Sequence, residues 1–228
     1  LADAREALTA GVLDGVPHAF LTGKGGDGEP DPQRLLPGGA LVLVRQVHSA
    51  LAATADAPFD PRPEADAVVT ATPGLVLGIV TADCAPVLLA DTRAGVVAAA
   101  HAGWRGAHHG VLEATVRRME ALGATRAGIV AAIGPTIARD SYEVGWDFVE
   151  QFEERHERFF LRADTPGKWH FDLPAYVRWR LESMRLAAVE DLGLDTYADP
   201  LRFHSYRRAT HRGEPTEGRQ YSLIGLPA

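Results

Sequence analysis

Cysteine is almost absent from this chain. Cys84 is the only one in 228 residues, so no intramolecular disulfide can form. Lysine is nearly missing as well: Lys24 and Lys168 stand alone, and the rest of the 23 basic residues are arginine, the side chain suited to forked recognition of phosphate or carboxylate. No apolar run approaches the ~18 residues a membrane helix needs, so no membrane association is expected. The opening stretch LADAREALTAGVLDGVPHAF has neither a basic start nor an uninterrupted apolar centre and does not read as a signal peptide. A net charge of −7 argues against nucleic acid or an acidic membrane as the main partner. With one unpaired thiol, the cytoplasm is the expected compartment. No internal repeat, heptad pattern or low-complexity tract appears.

What remains is a hydrophobic fraction of 46%, enough for a real core. At 24.5 kDa, one domain over residues 1–228 is expected. The segment 21–39 is dense in Gly and Pro and reads as a loop; its GKGG lacks the spacing of a P-loop. ALVLVRQV (40–47), LVLGIV (75–80), PVLLA (86–90), VVAAA (96–100) and AGIVAAIGP (127–135) read as strands. The turn DTRAG joins 86–90 to 96–100 as a hairpin; pairing residue 90 with 95 or 96 sets Cys84 opposite 101 or 102. Helices are expected over 107–122, 146–160 and 172–193, the last capped by Asp172, with Pro174 in its first turn and Gly193 after its end. The tail has a strand-like start, an Arg-rich loop and a closing strand, YSLIGL. Strands and helices without strict alternation give an α+β fold: one compact domain with a large mixed β-sheet flanked by helices.

Cys84 admits three readings: a small buried hydrophobe, a nucleophile, or a metal ligand. His48, Cys84 and His101 each end an apolar strand, where residues distant in sequence reach a common rim. His/Cys/His is a good zinc shell, and three protein ligands leave a fourth position open, as in catalytic zinc sites. Copper can occupy such a site too. A multicopper oxidase, however, needs a mononuclear site and a trinuclear cluster fed by paired histidines. Nine histidines without a His-x-His motif do not supply them.

The motifs RQVHSA, GLVLGIVTADCAPVLLAD, VVAAAHAGWRG, AAIGPTIARDSYEVG, WHFDLPAYVRWRL and FHSYRR follow one another in order. Over residues 40–228 the chain resembles the laccase-domain family, once labelled multicopper polyphenol oxidases and now understood as purine nucleoside phosphorylases. The resemblance implies a compact α+β domain. It also implies phosphorolysis of adenosine, inosine and methylthioadenosine, with adenosine deaminase side activity, and His48, Cys84 and His101 as metal ligands. Two departures stand out. The family's Thr-Arg-x-Gly-Gly reads Thr22-Gly23-Lys24-Gly25-Gly26 here, so a phosphate role for that Arg passes to Lys24 or is lost. Where the family often shows Cys-Thr-Tyr, Asp195-Thr196-Tyr197 stands.

On this reading the partners are a purine nucleoside and phosphate. Arg207 and Arg208 are the first anion candidates, followed by Arg45 and Arg105; Arg212 and Arg219 read as a solvated loop. Deamination needs a carboxylate as proton shuttle, for which Asp83 and Glu143 compete, and Asp83 can equally brace a ligand histidine. Trp104 or Phe203 can stack on the base or be core. Two other classes use the same residues: a cysteine hydrolase, with Cys84 as nucleophile and His101 or His48 as base, and a non-enzymatic metal-binding module.

Overall fold

Side chains alternate between the faces of a strand, and here both faces of the central strands are buried, which is why they read as unbroken apolar runs. The computed structural model of the chain describes residues 5–227 apart from 24 and 27, so Lys24 lies outside the described residues. In chain order the elements are β1 (Ala7–Leu8), β2 (His18–Leu21), β3 (Ala40–Val42), β4 (Ala52–Thr54), β5 (Ala67–Thr70), β6 (Leu75–Thr81), β7 (Ala85–Asp91) and β8 (Val96–Ala102). Then come α1 (Trp104–His109), α2 (Val111–Ala121), β9 (Val130–Ile133), β10 (Glu143–Gly145), α3 (Trp146–Val149), β11 (Phe160–Arg162), β12 (Lys168–Phe171), α4 (Leu173–Ser183), β13 (Ala188–Asp191), α5 (Tyr206–Arg212) and β14 (Gln220–Gly225).

The fold is mixed α+β, and the mixed sheet foreseen from sequence is realised as two. A five-stranded sheet has the order β1-β2-β14-β6-β3, and a six-stranded sheet the order β13-β9-β7-β8-β5-β4. Each carries parallel pairs at its margins, β3 with β6 in the first, β4 with β5 and β13 with β9 in the second. A small antiparallel sheet, β10-β12-β11, stands apart. Leu88 and Ala90 of β7 face the first sheet, packing with Leu77 and Ile79 of β6 and with Phe20. Val87 and Leu89 face the other way, onto Val116 and Met119 of α2 and Val177 and Leu181 of α4. Sheet, sheet and helices form three layers with two large cores between them, and a third, small cluster of Leu36, Val76 and Leu223 lies on the first sheet.

Several elements end elsewhere than their sequence suggests. The strand expected over 40–47 stops at Val42. The helix expected over 107–122 begins earlier, at Trp104, and breaks at Gly110, whose φ of 96° no helix accommodates. Over 146–160 a continuous helix gives way to α3, a 3-10 turn at Glu154–Phe159, and β11. Glu150, Glu153, Glu154 and Glu157 recur at three- and four-residue spacing, where like charges oppose a helix, and Phe148, Phe152 and Phe160 turn inward onto Phe171 instead. The third helix starts as expected, with the Asp172 carboxylate accepting from the Ala175 N–H at 3.0 Å. It ends at Ser183, because Arg185 takes a φ of 60° and the chain then pairs in parallel with β9. Gly193 ends nothing helical. The strand-like start of the tail is α5, capped by Ser205.

The β7–β8 hairpin is antiparallel, with Asp91 opposite Val96 and Ala90 opposite Val97. The turn spans four residues because the Asp91 carboxylate accepts from the N–H groups of Arg93 and Ala94 at 3.1 Å. Cys84 therefore falls opposite Gly103, not 101 or 102. No helix among the described residues is long and apolar enough to cross a membrane. Leu88 is fully buried between the sheets. Leu88→Ala is expected to lower the unfolding free energy by about 2–5 kcal/mol, read as a shifted denaturant midpoint with an unchanged slope.

Candidate metal centre and its cavity

Asp66, fully buried just before β5, gathers the site. Its carboxylate accepts from the backbone N–H groups of Val47, His48 and Ser49, at 3.3, 3.0 and 2.5 Å, and from the Ser49 hydroxyl at 2.7 Å. That grip holds His48 at a φ of 59°, a left-handed backbone that costs a non-glycine residue roughly 1–2 kcal/mol. The same carboxylate accepts from His101 Nδ1 at 2.8 Å, and the Asp66 carbonyl accepts from the His101 N–H at 2.7 Å. Burial by itself would raise the Asp66 pKa, but the hydrogen bonds from His101 and Ser49 outweigh it and hold the group at about 2. An ionised Asp66 cannot donate, so the proton of this bond resides on His101 Nδ1 and leaves Nε2 to face the cavity.

Cys84 lies where the chain crosses from β6 in one sheet to β7 in the other. Opposite it, Gly103 has no room for a side chain: a Cβ there would stand 2.8 Å from the Cys84 sulfur. The ligand atoms of His48, Cys84 and His101 all lie within 4.8 Å of one another, and the two imidazoles meet edge to face at 4.8 Å. Burial would push the Cys84 thiol up, but the charge of His101 and hydrogen bonds from both histidines bring it down to about 6. Burial likewise depresses His101, and the facing thiolate and Asp66 raise it to about 9. Without a metal the pair is a thiolate–imidazolium couple.

The donor set fits a metal. Ligand atoms on a tetrahedral zinc stand about 3.5 Å apart, so the trio needs only a modest contraction. Two imidazole nitrogens and one thiolate suit zinc and also copper. Asp66 supplies the outer carboxylate that orients a ligand histidine in such sites. Among the described residues this is the one group of three that could hold an ion.

The trio opens into a cavity of about 680 Å³, within the ordinary range for small-molecule sites. Arg105, Arg207 and Arg219 line it, together with Trp104, Tyr142 and the apolar Val44, Val80, Ile137 and Leu173. None of the three arginines forms an ion pair with a carboxylate among the described residues. Arg207 Nη1 donates to the Glu143 carbonyl at 2.6 Å, and its guanidinium lies 5.0 Å from the centre of the Tyr142 ring. Arg105 lies over Trp104 at 4.8 Å.

The other residues nominated from sequence sit elsewhere or are already engaged. Asp83 touches the cavity, but its carboxylate accepts from Thr196 Oγ1, Ser205 Oγ and the Arg207 N–H, at 2.6, 3.0 and 2.7 Å. Glu143 lies outside the lining and accepts from Thr165 Oγ1. Both acids thus bear on Arg207, one through its backbone N–H and the other through its guanidinium. Arg208 is buried and spends its guanidinium on the carbonyls of Thr196, Tyr197 and Phe203. Arg45 is exposed and paired with Glu64. Phe203 is core. Sequence reasoning passed over Asp66 and Tyr142, and it assigned Arg219 to a solvated loop, whereas the side chain lines the cavity. Tyr142 stands beside Glu143 in the same quoted motif, and burial followed by the nearby thiolate raises its phenol far above the physiological range. Asp195 accepts from Ser141 Oγ at 2.5 Å and from the Ala138 N–H at 3.2 Å, so it ties down the loop that leads to Tyr142.

A family model described as multi-copper polyphenol oxidoreductase laccase matches residues 33–227. A purine nucleoside phosphorylase of Deinococcus radiodurans is 38% identical, over 93% of this chain and 90% of its own length. An adenosine deaminase from an unknown prokaryotic organism is 42% identical, over 59% of this chain and 56% of its own length. Among solved structures, a DUF152 protein of Neisseria meningitidis superposes with a TM-score of 0.84 and 28% identity, covering 98% of this chain and 99% of that one.

Two outcomes follow from this geometry. Asp66→Asn keeps the shape but removes the charge that orients His101, so zinc affinity is expected to fall about 10- to 100-fold in competition with a chromogenic chelator. In metal-stripped protein the lowered Cys84 pKa means that thiolate forms on passing upward through pH ~6, not near 8.5 as for a free cysteine. Iodoacetamide alkylation, followed by mass, should therefore reach half its plateau rate near pH 6.

Proposed function

The chain belongs to the multi-copper polyphenol oxidoreductase laccase family, and on that footing we propose that it is a zinc-dependent purine nucleoside phosphorylase. Its substrates on this reading are adenosine, inosine and methylthioadenosine, with adenosine deamination as a second reaction of the same cavity. The chain works as one domain, in the cytoplasm. The phosphorylase and deaminase names of its relatives support the class. The observation that carries the reading is the set of arginines without carboxylate partners facing a His/Cys/His corner in one cavity, on a chain of net charge −7. Unpaired guanidiniums in an acidic protein call for an anion from outside. Copper oxidase chemistry of the laccase kind needs further metal clusters, and the described residues offer only one.

Arg105 and Arg207 hold the phosphate dianion and fix its line of attack. Phosphate oxygen bonds to ribose C1′ as the C1′–N9 bond breaks; the bonding pair leaves with the purine, whose uptake of a proton is balanced by the one the hydrogen phosphate gives up on becoming the ester. Tyr142 stays protonated throughout and can donate a hydrogen bond to the nucleoside at any physiological pH. Trp104, Ile137 and Leu173 supply apolar wall and limit water. Asp83 and the Glu143 carbonyl position Arg207. His48, Cys84 and His101 would hold zinc, which supplies Lewis-acid chemistry at that corner when bound.

A second reading has its own observation. Cys84, His101 and Asp66 stand in the order nucleophile, base and orienting carboxylate, the arrangement of a cysteine hydrolase. Tightly bound stoichiometric zinc would remove it, because a ligated thiolate is a poor nucleophile.

The test is product analysis of adenosine incubated with zinc-loaded protein, with and without phosphate. Adenine and ribose 1-phosphate are expected only with phosphate, and inosine in both conditions. No conversion in either condition sinks the nucleoside reading. Turnover of ester or amide substrates by metal-stripped protein, lost in Cys84→Ser, would put the hydrolase in its place.

A further inference from the structure

We infer that Arg219 sets the affinity for phosphate, and that His204 is the positioning residue that holds it at the cavity; the inference rests on the phosphorylase reading above. Arg219 lies in the exposed loop between α5 and β14, where composition alone suggests a solvated side chain. It nevertheless lines the same cavity as Arg105 and Arg207.

The chain is fixed on both sides of it. Gln220, buried, starts β14 opposite Thr81 of β6. Its side-chain amide bonds twice to the His204 backbone: Oε1 accepts from the N–H at 3.0 Å, and Nε2 donates to the carbonyl at 3.1 Å. Gly218, on the other side, packs closely on the His204 imidazole, where a Cβ would stand 2.1 Å from Nδ1. The Cδ2–Nε2 edge of the ring meets Gly23 just as closely, with a hypothetical Cβ 2.3 Å from Cδ2, and Nε2 bonds the Gly23 carbonyl at 2.8 Å. The imidazole fills a slot between two glycines and sets the course of the chain into Arg219.

The guanidinium is aimed as well. Its Nη1 donates to the carbonyls of Thr216 and Gly218, the latter at 2.8 Å. Nε and Nη2 have no protein partner among the described residues. Those two nitrogens form the edge that takes two oxygens of a phosphate in parallel hydrogen bonds. Arg207 has already committed Nη1 to a carbonyl, and Arg105 lies on Trp104. The three side chains come from α1, α5 and the entry to β14, so an oxyanion between them is approached from three elements.

Phosphate is the reactant of phosphorolysis alone, so the assignment predicts a split in the kinetics. Arg219→Ala should raise KM for phosphate roughly 10- to 100-fold, the loss of a charge-assisted pair, and leave KM for the nucleoside within about twofold. Arg219→Lys should recover part of the loss. His204→Ala should move KM for phosphate in the same direction, and its effect should largely vanish in the Arg219→Ala background, as expected for a residue acting through another. An unchanged KM for phosphate, an equal rise in KM for the nucleoside, or fully additive effects would overturn the assignment. Should the native protein show no phosphate-dependent turnover, the phosphorylase reading fails, and a ³¹P NMR titration with inorganic phosphate then decides the anion site on its own. Line broadening by the native protein that Arg219→Ala abolishes upholds the site; equal broadening, or none with either protein, overturns it.

Discussion

A single buried carboxylate, Asp66, holds the candidate centre together. Three consecutive backbone N–H groups and one hydroxyl converge on it from the His48 turn, and His101 reaches it from β8. A buried charge without partners is strongly destabilising, so Asp66 is tolerable only while both segments are in place. The cost of burial therefore becomes a constraint. The two histidines cannot drift apart without stranding the charge that links them. The left-handed turn at His48 is held by the same bonds, which ties a local backbone strain to the geometry of the metal corner.

Asp83 does for the arginine end of the cavity what Asp66 does for the candidate metal corner. It sits at a φ of 84° in the crossing between the two sheets. Its carboxylate collects Thr196, Ser205 and the Arg207 N–H, and its carbonyl accepts from Thr136 Oγ1 and the Ile137 N–H. Segments far apart in sequence are pinned around one corner, with Cys84 next in the chain. The TADC stretch is thus a hinge between layers: one residue organises the arginine side and the next supplies the thiolate. Placing Asp83 and Cys84 side by side puts the two halves of the cavity in fixed register.

How much of this was legible depended on whether the cause was local. The strands of the β7–β8 hairpin follow from apolar runs and were readable, and so was the clustering of His48, Cys84 and His101, although His48 lies well past the end of β3 and is placed by its turn onto Asp66 rather than by a strand end. The register was not, because the turn length is set by Asp91 bonding forward to two N–H groups. Asp66 was invisible as a hub, since its partners lie 17 to 35 residues away and nothing in its own neighbourhood marks it. The arginines misled for a related reason. Arg208 and Arg219 look alike as letters, but the helix capped at Ser205 turns Arg208 into the core, while His204 and its two glycines carry Arg219 to the cavity. The end of α4 was hidden too, because Ala188–Asp191 has the composition of a helix and becomes a strand only by pairing with β9.

The laccase description and the phosphorylase reading are reconciled by what a fold does and does not fix. A three-layer scaffold with one thiolate and two imidazoles at a sheet crossing says that a metal can be held; it does not say which reaction follows. The arginine end carries that information. On the proposed reading phosphate attacks ribose C1′ and water attacks purine C6, two different atoms of one nucleoside, and only the first reaction needs the guanidiniums occupied. A filled arginine end presents a phosphate oxygen to C1′, and deamination at C6 proceeds whether or not that end is filled. Relatives named for phosphorolysis and for deamination can then share one cavity without sharing a preferred substrate. On that reading the phosphorolysis arm depends on how firmly the arginine side chains are held, and hence on Asp83, the Glu143 carbonyl and His204.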